Sequence, residues 1–136
     1  MIDIRHLRAF LAIVESAHQG LVALRLFAYS SGSVEAQRLI FRHSRSGDLT
    51  PLLEDYFDTR LGGKLVPDSY RKLAEAIALG PDRILFLSDH QGELDAARSV
   101  GMRTACLDRD GVGRSGRHPT YPDLDAIEQQ HPAFDR

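Results

Sequence analysis

The chain has little of what builds disulfide-linked or membrane-spanning proteins. Among its 136 residues there is one cysteine, so an internal disulfide is excluded and a reducing, cytoplasmic setting is expected. No apolar run approaches the roughly 20 residues that a membrane-spanning helix needs, and the N-terminal residues lack the pattern of a signal peptide. Cys106 lies in an apolar run, Thr104–Leu107, which predicts a buried and inert thiol.

An excess of charge of one sign is also missing. The 17 basic and 19 acidic residues give a net charge of -2, so the charge balance predicts neither a nucleic-acid nor an anionic-membrane partner. With 43% hydrophobic residues, the chain is expected to form one soluble domain with its own core. Any ligand must therefore be inferred from local motifs.

Apolar runs and helical patterns alternate along most of the chain. This alternation predicts an α/β fold, a parallel sheet flanked by helices. The first pattern, with Leu7, Phe10, Leu11 and Val14, has helical spacing and predicts an amphipathic helix over residues 4–17. Strands are predicted at 24–29, 56–59, 84–87 and 103–107, helices at 34–43, 67–79, 91–100 and 123–130, and a loop at 108–122.

Two of the apolar strands end in residues that suit a phosphate ester. One ends at Ser30-Ser31-Gly32-Ser33 and another at Ser88-Asp89, and Lys64 lies between them in the chain. Open parallel sheets bind ligands outside the carboxyl ends of their strands. Hydroxyl and backbone N–H groups suit phosphate oxygens, an ammonium group offsets their charge, and a carboxylate suits Mg²⁺. The set predicts a site for a phosphate and a metal ion.

Each of these residues also has an ordinary structural role open to it. The serines are common turn and helix-capping residues, Lys64 taken alone fits a surface lysine, and Asp89 fits the N-cap of the helix that follows. Glu93, one helical turn after Asp89, either faces the same cation or is a solvated helix residue. The combination, in this order on an alternating pattern, favours a site.

Other motifs carry less information. The stretch Gly111–Gly116 has the G-x-G-x-x-G spacing, but Arg117–Pro122 cannot open the helix that a dinucleotide site requires, so a loop is predicted. His90 is expected to be an exposed loop residue. No metal-ligand spacing connects the six histidines, which are His6, His18, His43, His90, His118 and His131.

The motifs resemble those of a known family. The matching stretches are LFAYSSGSVEAQRLIF (26–41), GDLTPLLEDYFDTRLGGK (47–64) and ILFLSDHQGELDAARSVG (84–101), and the loop 115–119 fits as well. These are similar to the C-terminal half of the enolase-phosphatases (acireductone synthases), which are haloacid dehalogenase-like phosphatases of methionine salvage. The resemblance extends over about residues 20–128 and implies a Rossmann-like three-layer α/β/α core.

The resemblance implies roles for the motif residues. Ser30, Ser31 and Gly32 would bind the substrate phosphate, Lys64 would hold the phosphate and the nucleophile, and Asp89 would bind Mg²⁺ with Glu93 as an accessory acid. The family reaction enolises 2,3-diketo-5-methylthiopentyl-1-phosphate and then removes its phosphate. A phosphorylated small molecule is therefore the expected partner.

The chain departs from the family before Ser30. The family carries an aspartate nucleophile and a second acid on a first strand that lies centrally in the sheet, followed by a cap. Asp3-Ile4-Arg5 offers one acid and no apolar strand, so we expect a truncated relative that is inactive alone and associates with itself through open strand edges. The alternative is a non-catalytic binding or regulatory module.

The N-terminal residues have a separate resemblance. Residues 1–15 (MIDIRHLRAFLAIVE) are similar to the opening helix of LysR-type transcription regulators, but no recognition helix follows. Nucleic acid is therefore not an expected partner. We divide the chain into an N-terminal helix at 1–20 and a partial α/β domain at 21–130.

Overall fold

A mixed sheet between helices forms the fold. The computed structural model describes residues 9–16, 22–44, 47–108 and 116–130. The six strands form one sheet in the order β3-β2-β1-β4-β5-β6. In chain order the elements are β1 (Ala9–Ser16), β2 (Val22–Tyr29), α1 (Val34–Arg42), β3 (Leu53–Phe57), α2 (Pro67–Ile77), β4 (Ile84–Ser88), α3 (Gln91–Ser99), β5 (Arg103–Leu107), β6 (Thr120–Tyr121) and α4 (Leu124–Gln130).

Most predicted elements are present close to their predicted bounds. Strand β2 pairs in parallel with β3, and β4 with β5, as strand–helix alternation requires. Helix α3 ends before Gly101, whose φ of 100° is the left-handed conformation that favours glycine. The predicted loop at 108–122 contains one missed strand, β6. Two residues are too short for any periodicity to reveal, and only pairing with Cys106 and Leu107 makes them a strand.

The predicted N-terminal helix is wrong wherever the structure describes it. Residues 9–16 form β1, which pairs antiparallel with β2 on one side and with β4 on the other. Ala12, for example, lies opposite both Leu26 and Leu85. Residues 9–14 are an unbroken apolar run, which fits a buried strand as well as a helix. As a strand, β1 supplies hydrogen-bond partners to backbone groups of β2 and β4 that would otherwise be unpaired. These contacts with the rest of the fold favour the strand over the helix.

Strand β1 also changes the expected sheet. The strand–helix units pair in parallel as predicted, but the central strand β1 runs against both of its neighbours, so the sheet as a whole is mixed. Strand β1 lies between β2 and β4, so the strand edges that were expected to be open there are paired. Self-association stays a prediction, but the open strand edges on which it was based are paired with β1 in this sheet. The LysR-like residues 1–8 and the residues 17–21 lie outside the described residues.

Helices cover both faces of the sheet. Alternate residues of β2 point to opposite faces: Leu26 and Ala28 pack in a buried cluster with Phe41 of α1 and Ile127 of α4. Phe27 and Tyr29 join a second buried cluster, which includes Leu73 of α2 and Leu94 of α3. The expected three-layer α/β/α arrangement is confirmed. Burying one such large apolar side chain contributes roughly 1.5–3 kcal/mol. No described helix has both the length and the apolar character needed to cross a membrane.

Candidate functional site

The predicted site residues gather at one edge of the sheet. Strands β2, β3 and β4 are parallel to one another, so their carboxyl ends, followed by Ser30, Asp58 and Asp89, lie on the same side. Strand β1 runs the other way and begins at this edge, with Ala9 opposite Ser88. Strands β2 and β4 flank β1, so at about 4.8 Å per strand they lie about 10 Å apart. A ligand the size of a phosphate ester fits this separation.

The first half of the site is the serine turn, residues 30–33. Its backbone is anchored where the Ser30 N–H donates to the carbonyl of Phe57 at 3.2 Å. The Ser30 hydroxyl accepts from the N–H of Gly32 at 3.2 Å, so its own proton is still available for donation. Ser33 caps α1, its hydroxyl accepting from the N–H of Ala36 at 3.1 Å. The turn therefore does what capping serines ordinarily do and also presents hydroxyl groups at the sheet edge.

Sequence reasoning missed Asp58, which lies under the start of α1. Its carboxylate is buried and accepts from the N–H of Val34 at 3.2 Å and from that of Arg60 at 3.0 Å. The Arg60 guanidinium contacts it at 3.0 Å. These Arg60 hydrogen bonds, followed by the one from Val34, lower the pKa of Asp58. The available signal was an aspartate directly after a strand, a frequent turn-forming position.

Asp58 affects how an anion can bind at the start of α1. The first N–H groups of a helix commonly hold phosphate. The N–H groups of Val34 and Ala36 are instead bound by Asp58 and Ser33. A phosphate at this edge would have to rely on the serine turn itself.

The second half of the site is the lysine pair, Lys64 and Glu93. The Lys64 Nζ lies 3.0 Å from Glu93 Oε1, and each side chain is only 10% exposed. The Ser88 hydroxyl donates to the same carboxylate oxygen at 3.1 Å. The Tyr70 hydroxyl fixes the Lys64 backbone by donating to its carbonyl at 2.6 Å. The surface-lysine interpretation of Lys64 and the solvated-helix interpretation of Glu93 are therefore both wrong.

Asp89 differs from Glu93 because its carboxylate has no partner among the described residues. It is half-buried directly after β4, and no other described residue binds it through a hydrogen bond or ion pair. The N-cap of α3 is His90, whose Nδ1 accepts from the N–H of Glu93 at 3.3 Å. The N-cap interpretation of Asp89 is thus wrong, and the prediction that His90 is exposed is confirmed.

The carboxylates at this edge do not complete a set of Mg²⁺ ligands. Within the part of the chain that the structure describes, no three His, Cys, Asp or Glu residues are grouped so as to hold a metal ion. Asp89 offers one carboxylate, whereas the Oε1 atom of Glu93 is already bound by Lys64 and Ser88. Mg²⁺ requires close to octahedral oxygen coordination. These residues alone do not form a magnesium site.

A second polar cluster lies away from the candidate site and holds the residues before β6 in place. His118 is buried between the hydroxyl of Thr104 and a carboxylate oxygen of Asp95, each at 2.7 Å. Arg117 also contacts Asp95, at 2.8 Å. The His118 hydrogen bond, together with Arg117, lowers the pKa of Asp95. This cluster ties residues 117–118 to α3 and β5, and its role is structural.

Two other predictions have different outcomes. Cys106 is buried, as its apolar neighbours predicted. The loop predicted at the G-x-G-x-x-G stretch concerns residues 111–115, which lie outside the described residues.

The likeness to solved structures defines the class of protein. The UTR4 protein of Saccharomyces cerevisiae is 36% identical with a TM-score of 0.66, covering 71% of this chain and 48% of that one. An L-2-haloacid dehalogenase is 23% identical with a TM-score of 0.54, covering 73% of this chain and 43% of that one, which shows the fold alone. No protein-family model matches. With the three-layer fold, these likenesses define a partial haloacid dehalogenase-like α/β domain.

Sequence comparison narrows this class. Over 107 residues the chain is 49% identical to an enolase-phosphatase E1 of Methylococcus capsulatus, covering 79% of this chain and 47% of that protein. Over 105 residues it is 52% identical to one of Pectobacterium carotovorum, covering 77% and 46%. The matched part of the chain is therefore homologous to the enolase-phosphatases, and the resemblance is confirmed. The chain spans about half the length of the curated relatives it matches.

Proposed function

We propose that this chain provides the phosphate-binding part of an enolase-phosphatase-type site for a phosphorylated small molecule in the cytoplasm. The observation that carries the proposal is the gathering of hydroxyls, a cation and an uncommitted carboxylate at one sheet edge: the serine turn, the lysine pair and Asp89. The relatives at about 50% identity, named as enolase-phosphatases, support the same chemistry.

Each part of the edge has a distinct role in the proposal. The hydroxyls of Ser30 and Ser31 bind phosphate oxygens, while Gly32, whose N–H donates to the Ser30 hydroxyl, keeps the turn in shape. Lys64 supplies a charge-assisted hydrogen bond, the stronger kind, while Glu93 fixes the direction of its ammonium group. Asp89 is the residue that would bind Mg²⁺, which in such phosphatases offsets phosphate charge.

The proposal separates binding from turnover. A phosphatase of this family is expected to attack phosphorus with an aspartate on the central strand. The central strand β1 begins at this edge with Ala9, opposite Ser88, and no described residue of β1 at this level is acidic. We therefore propose that the chain alone binds phosphorylated ligands without hydrolysing them.

Release of inorganic phosphate tests this proposal. With Mg²⁺ and a phosphorylated diketone, we expect turnover on the order of 10⁶-fold below that of a whole enolase-phosphatase, the scale on which losing a nucleophile acts. Asp89→Asn is the matched variant. Mg²⁺-dependent turnover that Asp89→Asn abolishes would overturn the binding-only proposal and support full activity of the chain.

The alternative function, a non-catalytic binding or regulatory module, has one observation in its favour. Strand β1 completes the sheet from β3 to β6, so the fold needs no further central strand. Both functions predict that the chain alone binds without turnover, so they differ in whether the chain can take part in hydrolysis at all. Phosphate release on addition of a separate N-terminal half of an enolase-phosphatase, which carries the aspartate nucleophile, would favour the phosphatase part. Continued absence of release would favour a module.

A further inference from the structure

The serine turn is held by a buried amide that none of the motifs assigned a role. Gln37 lies one turn into α1 and is only 1% exposed. Its Nε2 donates to the carbonyl of Gly32 at 3.0 Å and to the carbonyl of Phe57 at 2.8 Å. One side chain of α1 therefore joins the middle of the serine turn to the end of β3.

Chemistry fixes the orientation of this amide. Both partners are carbonyl oxygens, so the nitrogen must face them, because an amide oxygen in its place would be repelled by both. The opposite atom, Oε1, is buried and has no hydrogen-bond partner among the described residues. Leaving a buried acceptor unsatisfied costs free energy. An apolar side chain of similar size would avoid this cost, so packing alone does not account for a glutamine here.

The two hydrogen bonds of Gln37 complete a closed network. The Phe57 carbonyl that accepts from Gln37 also accepts from the N–H of Ser30. Ser30 in turn accepts from the N–H of Gly32, and the Gly32 carbonyl returns to Gln37. The start and the middle of the turn are thus fixed to the same point on β3. Without the amide, the Gly32 carbonyl loses its link to the sheet.

We propose that Gln37 is the positioning residue that holds the serine turn in the conformation that binds phosphate. The inference rests on the proposed function, since it assigns the turn a ligand. Gln37 acts through Gly32 and Ser30 and does not itself touch the anion. Its removal should therefore change affinity for phosphate more than a substitution that destabilises the fold elsewhere.

Inorganic phosphate titrations followed by ¹H–¹⁵N NMR test this role. In Gln37→Leu we expect the affinity at Ser30–Ser33 to fall about tenfold, equivalent to about 1.4 kcal/mol, and the amides of the turn to exchange with solvent faster. The control is Ile77→Val. Ile77 is buried in α2, which packs on the opposite face of the sheet from α1 and its residue Phe41. At a temperature where all variants are folded, its phosphate affinity should stay within twofold of wild type.

A second variant separates hydrogen bonding from packing. Gln37→Glu keeps the shape but places carboxylate oxygens against two carbonyls. Protonation restores one O–H donor, so the amide shifts of the turn should move back toward the wild-type shifts as the pH falls. Gln37→Leu has no such group, and its difference from wild type should not change with pH. A pH-independent difference in Gln37→Glu would overturn the positioning role.

The titrations also separate this inference from the proposed function. Phosphate binding by wild type with equal affinity in Gln37→Leu would overturn the role of Gln37 and leave the phosphate site intact. Absence of phosphate binding by wild type, with faster exchange of the turn in Gln37→Leu, would reject the phosphate site and retain Gln37 as the residue that holds the turn. Unchanged exchange in Gln37→Leu would overturn the inference in either case.

Discussion

The two halves of the candidate site, on either side of β1, are held together by different forces. The serine turn is fixed by hydrogen bonds that Gln37 and the Ser30 N–H donate to backbone carbonyls, and the nearby carboxylate of Asp58 is paired with Arg60. The lysine pair is a nearly buried attraction between opposite charges that joins a loop to α3. The turn therefore depends on local geometry, and the pair depends on both of its members being present.

This difference has a consequence for mutation. Losing the Gln37 donor leaves the Gly32 carbonyl unsatisfied, at about 1–3 kcal/mol, while the Phe57 carbonyl still accepts from the Ser30 N–H. Losing one member of a buried ion pair leaves a charge without a partner, which costs more. Similar substitutions in the two halves should therefore lower the stability of the chain by different amounts. Loss of the strand between them, β1, should disrupt both halves.

The largest effect is expected from Ala12→Pro, because it breaks the strand that both halves share. Ala12 pairs with β2 and β4, and proline removes an N–H from the middle of the sheet. We expect a loss of about 3 kcal/mol or more in the free energy of unfolding. Urea denaturation followed by circular dichroism measures it, with Ala12→Val as the control that keeps the N–H. An unchanged midpoint would mean that β1 is not central.

A smaller effect, confined to one half, is expected from Glu93→Ala. Lys64 would lose its partner while only 10% exposed, so the free energy of unfolding should fall by about 3 kcal/mol. The matched control is Glu75→Ala on the exposed face of α2, which should change stability by less than about 0.5 kcal/mol. Equal denaturation midpoints for the two variants would show that the lysine pair contributes no more than a surface charge.

The smallest effect, on the turn half, is expected from Asp58→Asn and depends on pH. Arg60 and Val34 lower the pKa of Asp58 in the folded chain, so the unfolded chain takes up the proton first as the pH falls. The stabilisation from Asp58 is thus present above about pH 4 and is lost progressively below it. Thermal melts from pH 7 to pH 2 should show wild type losing its advantage over Asp58→Asn in this acid range. Parallel melting curves would contradict the assignment.

Much of the fold could be predicted from local pattern. Helices α1, α2 and α3 and strands β2, β4 and β5 have distinct periodicity and clear end signals, such as Gly101 after α3, and local signals were sufficient for them. Strand β1 could not be predicted in this way. Its apolar run suits a helix as well as a strand, and the preference is set by β2 and β4, which lie elsewhere in the chain.

The candidate site was predictable only in part, for a related reason. Ser30 and Asp89 follow apolar strands, so a rule about strand ends finds them, and their location at one edge agrees with that rule. Their roles stay predictions. Asp58 and Gln37 were not predicted, because each has a hydrogen-bond partner about 20 residues away in the chain. A lone glutamine in an amphipathic helix carries no local signal of such contacts.

The reversed direction of β1 has a practical consequence for anyone handling this protein. Because the chain enters β1 at Ala9, beside Ser88, the polypeptide upstream of β1 departs from the same edge at which the ligand is proposed to bind. A purification tag or fluorescent protein fused ahead of residue 1 is separated by only eight residues from the strand that begins at this edge. Added bulk and charge so few residues from a proposed phosphate site would disturb its measured affinity. Ligand titrations should therefore be run with the N-terminal fusion cleaved, or with the label placed elsewhere on the chain.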